Sequence, residues 1–243
     1  MKIGILYICT GKYNIFWKNF YSTCEKFFLP GVEKHYFVFT DCEKIEFENN
    51  YNKITKIYQP NLGWPYNTLM RFDMFEKQKR KLSMFEYLFF FNANIIFTQK
   101  IFPKEFIPFK NDLLVVMHPG YFSSLKNYLF PLLPFERNIK STAYIPYWCK
   151  SSYYMGGING GKSNYFLKMI EDINFNIKED LKNGIIAKWH DESHLNKYLI
   201  NKNKKVLLPN IFGYPEEKII NETPKIIILN KNKFGGHNKL REK

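Results

Sequence analysis

The densest group of reactive side chains in this 243-residue chain is the run Trp189-His190-Asp191-Glu192-Ser193-His194. If a helix starts there, Asp191 and Glu192 fall in its first turn, where unpaired backbone N–H groups favour ionised carboxylates. A plainer reading makes Asp191 an N-cap and Glu192 one half of a surface pair with a residue three or four positions on. His190 and His194 stand four apart, a spacing that can hold a metal, but the helical zinc-protease motif places its glutamate differently. Asn92 and Asn94 flank Ala93 and offer neutral carbonyl oxygens, which are weak ligands for a divalent cation. A polar turn after a buried strand would use the same residues. Gly156 and Gly157, with Gly160 and Gly161, would let a ligand approach the backbone. They match neither Rossmann nor P-loop spacing, and they suit an irregular tight turn equally well.

These groups need elements to position them. Lys2 to Ile8 reads as a buried opening strand, followed by a turn at Thr10-Gly11-Lys12. Phe16, Phe20, Cys24 and Phe27 then recur at helical spacing. His35 to Thr40 and Ile54 to Tyr58 are the next strands, and the alternation predicts a mostly parallel sheet covered by helices. After a turn-rich Pro60 to Pro65 loop, a helix from about Tyr66 to Lys81 carries Arg71, whose default role there is a solvated surface charge. The apolar run Tyr87 to Phe91 is a strand that ends at Asn92, where ligands gather in open α/β sheets. Leu113 to Met117 forms another strand and leads into His118-Pro119-Gly120. Ser123 to Pro134 reads as an irregular insertion. Ser163 is a candidate N-cap of a helix to about Asp172, and a further helix runs from Asp191 or Glu192 to Ile200. Val206 to Leu208 and Ile226 to Leu229 are late strands. The tail holds Lys231, Lys233, Lys239, Arg241 and Lys243 against one acid, Glu242, with Gly235-Gly236 as a hinge. It suits a frayed terminus or a lid over phosphates.

Composition narrows the partners. Lys and Arg number 36 against 22 Asp and Glu, a formal charge of +14, which favours anionic ligands or an anionic membrane surface. No zinc-finger spacing and no sustained basic helix supports nucleic-acid readout. The 24 Phe and 17 Tyr argue for a packed core rather than disorder. Ile3 to Ile8 is too short to span a bilayer, and no secretory signal pattern is present, so a cytoplasmic location is expected. Cys9, Cys24, Cys42 and Cys149 lack metal-site or redox spacing and are expected to stay reduced.

Several segments carry a resemblance. His35-Tyr36-Phe37-Val38-Phe39-Thr40-Asp41, Ala143-Tyr144-Ile145-Pro146, Tyr153-Tyr154 before the glycine pair and the decapeptide Trp189 to Tyr198 resemble, in that order, the family 6 glycosyltransferases. That family includes the mammalian blood-group A and B transferases and the α-1,3-galactosyltransferase; this chain is most similar to its bacterial members. The resemblance spans nearly the whole chain and implies a single GT-A domain over residues 1–243, with a Rossmann-like half and a mixed central sheet flanked by helices. Residues 1–112 would mainly bind nucleotide, 113–230 the acceptor and the chemistry, and 231–243 would form a basic lid.

By position, the resemblance places Ile8, Thr10 and Tyr13 against uridine and Arg71 on the nucleotide-sugar. Glu192 becomes the catalytic carboxylate, which also meets the acceptor, and Asp191 holds sugar hydroxyls. Trp189 is the acceptor platform. Animal members carry Asp-x-Asp where this chain has Asn92-Ala93-Asn94, so the family's Mn²⁺ is not expected as a cofactor. Lys231, with Lys233 as competitor, is expected to compensate the diphosphate instead. Met155-Gly156-Gly157 implies room for an N-acetyl group, hence UDP-GalNAc over UDP-Gal. His118 implies a fucosylated Fucα1-2Gal oligosaccharide acceptor. The expected activity is a metal-independent retaining α-1,3-N-acetylgalactosaminyltransferase, with loose contact to the inner membrane. A galactosyltransferase, a silent glycan-binding protein and a nucleic-acid-binding protein are the rival readings.

Overall fold

The computed structural model describes residues 1–122, 133–219 and 223–242. Most of the insertion expected over 123–134, and Lys243, therefore lie outside the described residues. In chain order the strands are β1 (Lys2–Ile8), β2 (Glu33–Thr40), β3 (Ile54–Tyr58), β4 (Tyr87–Phe91), β5 (Ile95–Phe97), β6 (Leu113–Met117), β7 (Tyr154–Lys162), β8 (Lys204–Leu207), β9 (Gly213–Pro215) and β10 (Ile226–Ile228). The α-helices are α1 (Trp17–Phe27), α2 (Tyr66–Leu69), α3 (Arg71–Glu76), α4 (Lys79–Leu82), α5 (Pro103–Phe106), α6 (Ser163–Lys182), α7 (His190–Tyr198), α8 (Pro209–Phe212) and α9 (Gly236–Arg241).

Seven strands make one sheet in the order β3-β2-β1-β4-β7-β6-β8, and β5-β10-β9 make a smaller one. Pairing is parallel through β3, β2, β1 and β4 and between β6 and β8. β7 runs antiparallel to both its neighbours, β4 and β6. The sheet is thus mostly parallel, as the alternation predicts, and mixed through β7 alone, as the GT-A resemblance implies.

Apolar residues fill both faces. On β1, Ile3, Ile5 and Tyr7 face one core with Trp17, Phe20 and Phe28, while Leu6 faces the other. On β4, Phe89 and Phe91 join the first core, and Leu88 and Phe90 join the second with Phe72, Phe75 and Ile170. A period of two on strands buried from both sides explains why their sequences read as unbroken apolar runs.

Three expectations change. The glycine-rich segment is no irregular turn but the central strand β7, whose glycines let neighbouring strands close in. A Cβ on Gly160 would sit 2.3 Å from Leu88 O, and one on Gly161 2.3 Å from Asp112 O. The helix expected from Tyr66 to Lys81 is broken at Met70 and again at Lys77-Gln78 into α2, α3 and α4. The first break starts α3 at Arg71 and buries it at 5% exposure, so the solvated surface reading of Arg71 fails. Ser163 is the first residue of α6 rather than its cap; its hydroxyl donates to Leu82 O, and the helix continues to Lys182 along an apolar stripe.

The tail is docked. Lys231–Phe234 forms a 3₁₀ turn and α9 follows, with Phe234 against Phe16 at 4.7 Å and Leu240 buried. Among the described residues, no helix is long and apolar enough to cross a membrane.

Candidate active site

Parallel pairing brings the carboxyl ends of β1 and β4 side by side, Tyr7 opposite Phe91, and the first half of β7 adjoins them through Ile158. A cleft opens at this edge. Ile8 lines it from the end of β1, Thr10 and Tyr13 from the segment after β1, and Asn92, Ala93 and Asn94 from the segment after β4. Arg71 and Phe90 form its base, and Lys231 and Arg241 close it from the tail. Trp64, Asn67 and Thr68 complete the wall, and the Arg241 guanidinium stacks 3.6 Å from the centre of the Trp64 ring. Lys231 lies over the Tyr13 ring at 5.1 Å. Burial, and then repulsion from Arg241, lowers the Lys231 ammonium to about 8. Lys233 is absent from this wall; it is exposed and pairs with Glu216 Oε1 at 2.5 Å.

The two acids enter from α7. Trp189 occupies the N-cap position, with its N–H donating to Ser193 Oγ at 3.0 Å, so Asp191 and Glu192 are the second and third helical residues. Asp191 is therefore not the cap. His190 takes a φ of 51°, a left-handed backbone rare for a residue with a side chain, and its ring meets Trp64 edge-on at 4.6 Å.

Asp191 is 1% exposed, with Arg71 Nη2 2.6 Å from its Oδ2. Neither carboxylate oxygen has a hydrogen-bond partner in good geometry among the described residues. Burial, opposed by Arg71 and aided by nearby Glu192, raises its pKa to about 7. Arg71 also donates to Gly156 O at 2.6 Å and stacks 4.2 Å from the Phe90 ring. Glu192 is half-buried; Oε2 accepts from Gly156 N–H at 2.6 Å, and Oε1 from the Tyr153 hydroxyl at 2.7 Å. A Cβ on Gly156 would meet Glu192 Oε2 at 3.2 Å, and one on Gly157 would meet Asn92 Nδ2 at 3.0 Å and Met155 Cε at 3.1 Å. Glycine at these two positions thus keeps β7, Glu192 and Asn92 in close array.

The strand end fits a divalent cation poorly. Asn94 is buried, and its Nδ2 donates to Leu229 O at 2.8 Å, while Leu229 N–H donates to Asn94 O at 2.8 Å. Its amide is engaged in fastening β10 to the end of β4. Asn92 contributes a neutral amide alone, so this segment supplies no anionic ligand to a hard cation. Among the described residues, no group of three or more His, Cys, Asp or Glu forms a metal cluster. The possible His190/His194 metal pair is not brought together for that purpose: His194 is buried beside Asp180 and Thr142, and His190 stacks on Trp64.

His118 directly follows β6, near Glu192. Its ring packs against Tyr121 and Tyr153, its Nδ1 accepts from Gly120 N–H at 3.0 Å, and burial lowers its pKa while Glu192 partly offsets this. Trp189 is 47% exposed beside α7. Sequence reasoning missed Trp64, hidden in a turn-rich loop, Asn67 and Thr68 in the short α2 that follows it, and Tyr153, quoted only as part of a motif. Arg241 was visible as one basic tail residue among several, and only its stacking on Trp64 singles it out.

Over 242 residues, covering all of both chains, the sequence is 40% identical to the O-antigen biosynthesis glycosyltransferase WbnI of Escherichia coli. It is 30% identical over 226 residues to histo-blood group ABO system transferase 1 of Rattus norvegicus, covering 88% of this chain and 63% of that one. It is 28% identical over 216 residues to globoside alpha-1,3-N-acetylgalactosaminyltransferase 1 of Homo sapiens, covering 86% of this chain and 60% of that one. The chain thus spans about 60% of the length of these animal relatives. The profile of glycosyltransferase family 6 matches residues 1–238, and with the full-length bacterial relative it establishes that this chain belongs to that family.

Proposed function

We propose that the chain is a retaining α-1,3-N-acetylgalactosaminyltransferase that moves GalNAc from UDP-GalNAc to the galactose of a Fucα1-2Gal acceptor without a divalent metal. The observation that carries this reading is Glu192, held between Gly156 N–H and the Tyr153 hydroxyl beside the Arg71–Asp191 pair. A retaining reaction needs a carboxylate on the reactive face of the donor sugar. There Glu192 either attacks the anomeric carbon as UDP departs with the bonding electrons, after which the acceptor hydroxyl displaces the carboxylate and gives its proton to the phosphate, or it stabilises oxocarbenium charge while the acceptor hydroxyl attacks and its proton passes to the leaving phosphate. Asp191, buried with its Oδ2 2.6 Å from Arg71 Nη2, has lone pairs left for sugar hydroxyls.

Ile8, Thr10 and Tyr13 would flank uridine, with Arg71 reaching the nucleotide-sugar. The diphosphate would lie near Asn92 and Asn94, with its charge met by Lys231 and by Arg241 rather than by a divalent metal ion. Lys233 would become a diphosphate partner only by giving up Glu216. Residues 1–112 would then serve the nucleotide, 113–230 the acceptor and the chemistry, and 231–243 the lid. Met155, Gly156 and Gly157 line the donor-sugar side in this reading, and His118 and Trp189 the acceptor side. The names of the human and rat relatives support an α-1,3-linked amino sugar and a blood-group-type acceptor. A formal charge of +14 supports work in the cytoplasm at an anionic inner-membrane surface.

An assay crossing UDP-GalNAc and UDP-Gal with 2'-fucosyllactose and lactose, in EDTA, tests the assignment. The highest kcat/KM is expected for UDP-GalNAc with the fucosylated acceptor. Equal or better efficiency with UDP-Gal would make the chain a galactosyltransferase. A preference for plain lactose would overturn the acceptor assignment. No acceptor-dependent UDP release under any condition would favour a silent glycan-binding protein.

A further inference from the structure

Tyr153 is 2% exposed and immediately precedes β7. Its ring is enclosed by His118, Tyr121 and Phe135, with centroid separations of 5.6, 5.5 and 5.4 Å. Its carbonyl accepts from His118 N–H at 2.9 Å, so ring and backbone are both tied to the segment after β6. This packing directs the hydroxyl to Glu192 Oε1 at 2.7 Å. The other carboxylate oxygen receives Gly156 N–H, three residues further along the same stretch of chain. Burial and the neighbouring Glu192 push the phenol far above its ordinary pKa, so it acts as a neutral donor. Two donors from one rigid segment, one on each oxygen, fix both the position and the rotation of the carboxylate.

We propose that Tyr153 is the positioning residue for Glu192, its hydroxyl holding the carboxylate in a single orientation toward the donor sugar. The proposal rests on the reading of Glu192 as the reacting carboxylate. Catalysis by a fixed carboxylate loses rate when the group rotates freely, even when substrate still binds. The hydroxyl therefore bears on kcat and leaves donor affinity nearly untouched.

Tyr153→Phe removes the hydroxyl and keeps the ring. Its kcat is expected to fall about ten- to a hundredfold, the worth of one hydrogen bond to a charged group, with KM for the UDP-sugar within about twofold of wild type. In a Glu192→Gln background the same substitution should change the residual single-turnover rate by less than about twofold, because the charged group it acts through is gone. Equal fold losses in the two backgrounds, a rise in KM at unchanged kcat, or wild-type kcat in Tyr153→Phe would each overturn the proposal. Tyr153→Leu, which removes the ring as well, separates packing from positioning. A role in packing alone predicts a lower melting temperature for Leu and no kcat loss for Phe. Failure of the underlying reading has its own signature: Glu192→Gln would keep near wild-type turnover, and both claims would fall together. An inactive Glu192→Gln beside a fully active Tyr153→Phe would remove the positioning role alone.

Discussion

Glu192 receives one neutral donor on each carboxylate oxygen, the Tyr153 hydroxyl and the Gly156 N–H, and neither cancels its charge. The nearby cation, Arg71, is engaged elsewhere, by Asp191 Oδ2 at 2.6 Å and by Gly156 O. This division of labour matters because a carboxylate neutralised by a direct ion pair would offer less charge to an oxocarbenium-like centre. Glu192→Gln keeps the shape and removes the charge. It should lower kcat by about two to three orders of magnitude, the cost of losing one electrostatic partner of a transition state, with a much smaller effect on UDP-sugar binding. Steady-state UDP release together with calorimetric donor affinity separates the two quantities. A variant with near-native turnover would exclude both the nucleophilic and the charge-stabilising role.

At the level of elements, the tail distinguishes this cleft from a strand end built around a metal. The 3₁₀ turn Lys231–Phe234 and α9 pack onto the turn after β1 through Phe234 against Phe16, and Arg241 caps the Trp64 ring. Lys231 is brought down to about 8 by burial and by repulsion from Arg241. Its ammonium is therefore charged below that value and neutral above it. If it holds the diphosphate, UDP affinity falls as the solution is taken from about pH 7 to about pH 9, and Lys231→Arg, still charged there, flattens the fall. Titration calorimetry across that range checks the sign; a wild-type affinity unchanged by pH would remove Lys231 from the phosphate site. Several elements were legible in the residues because buried strands write themselves as apolar runs, and β1, β4 and β6 have the expected bounds, as does the half-exposed edge strand β3. β7 was not, because its four glycines erase side-chain periodicity while the reasons for them, neighbouring strand backbone at Gly160 and Gly161 and the Glu192 and Asn92 side chains at Gly156 and Gly157, are long-range facts. The breaks around α3 were hidden for a related cause: Arg71 is buried by partners far along the chain, Asp191 and Gly156, which no local pattern discloses. Family motifs placed the acids and Asn92 at their positions, but the hydroxyl on Glu192 and the Arg241 stack needed three dimensions.

Across the whole molecule, a mixed sheet brings the ends of β1, β4 and β7 to one edge, and the basic tail folds back over that edge. An edge that carries asparagines rather than aspartates, with Asn94 engaged by Leu229 O, must meet a departing diphosphate with cations of its own. The overall charge of +14 suits that demand, since the surrounding field already favours anions. The neutral strand end and the docked basic tail together favour the proposed transfer without a metal. Turnover of UDP-GalNAc with 2'-fucosyllactose, measured in excess EDTA and again with added Mn²⁺, for wild type and Lys231→Ala, tests that claim most directly. The account predicts that wild type keeps its rate in EDTA and gains little from Mn²⁺, while Lys231→Ala loses about ten- to a hundredfold, the worth of one charge-assisted contact. Wild-type activity abolished by EDTA and restored by Mn²⁺, or a Lys231→Ala variant as active as wild type, would contradict it.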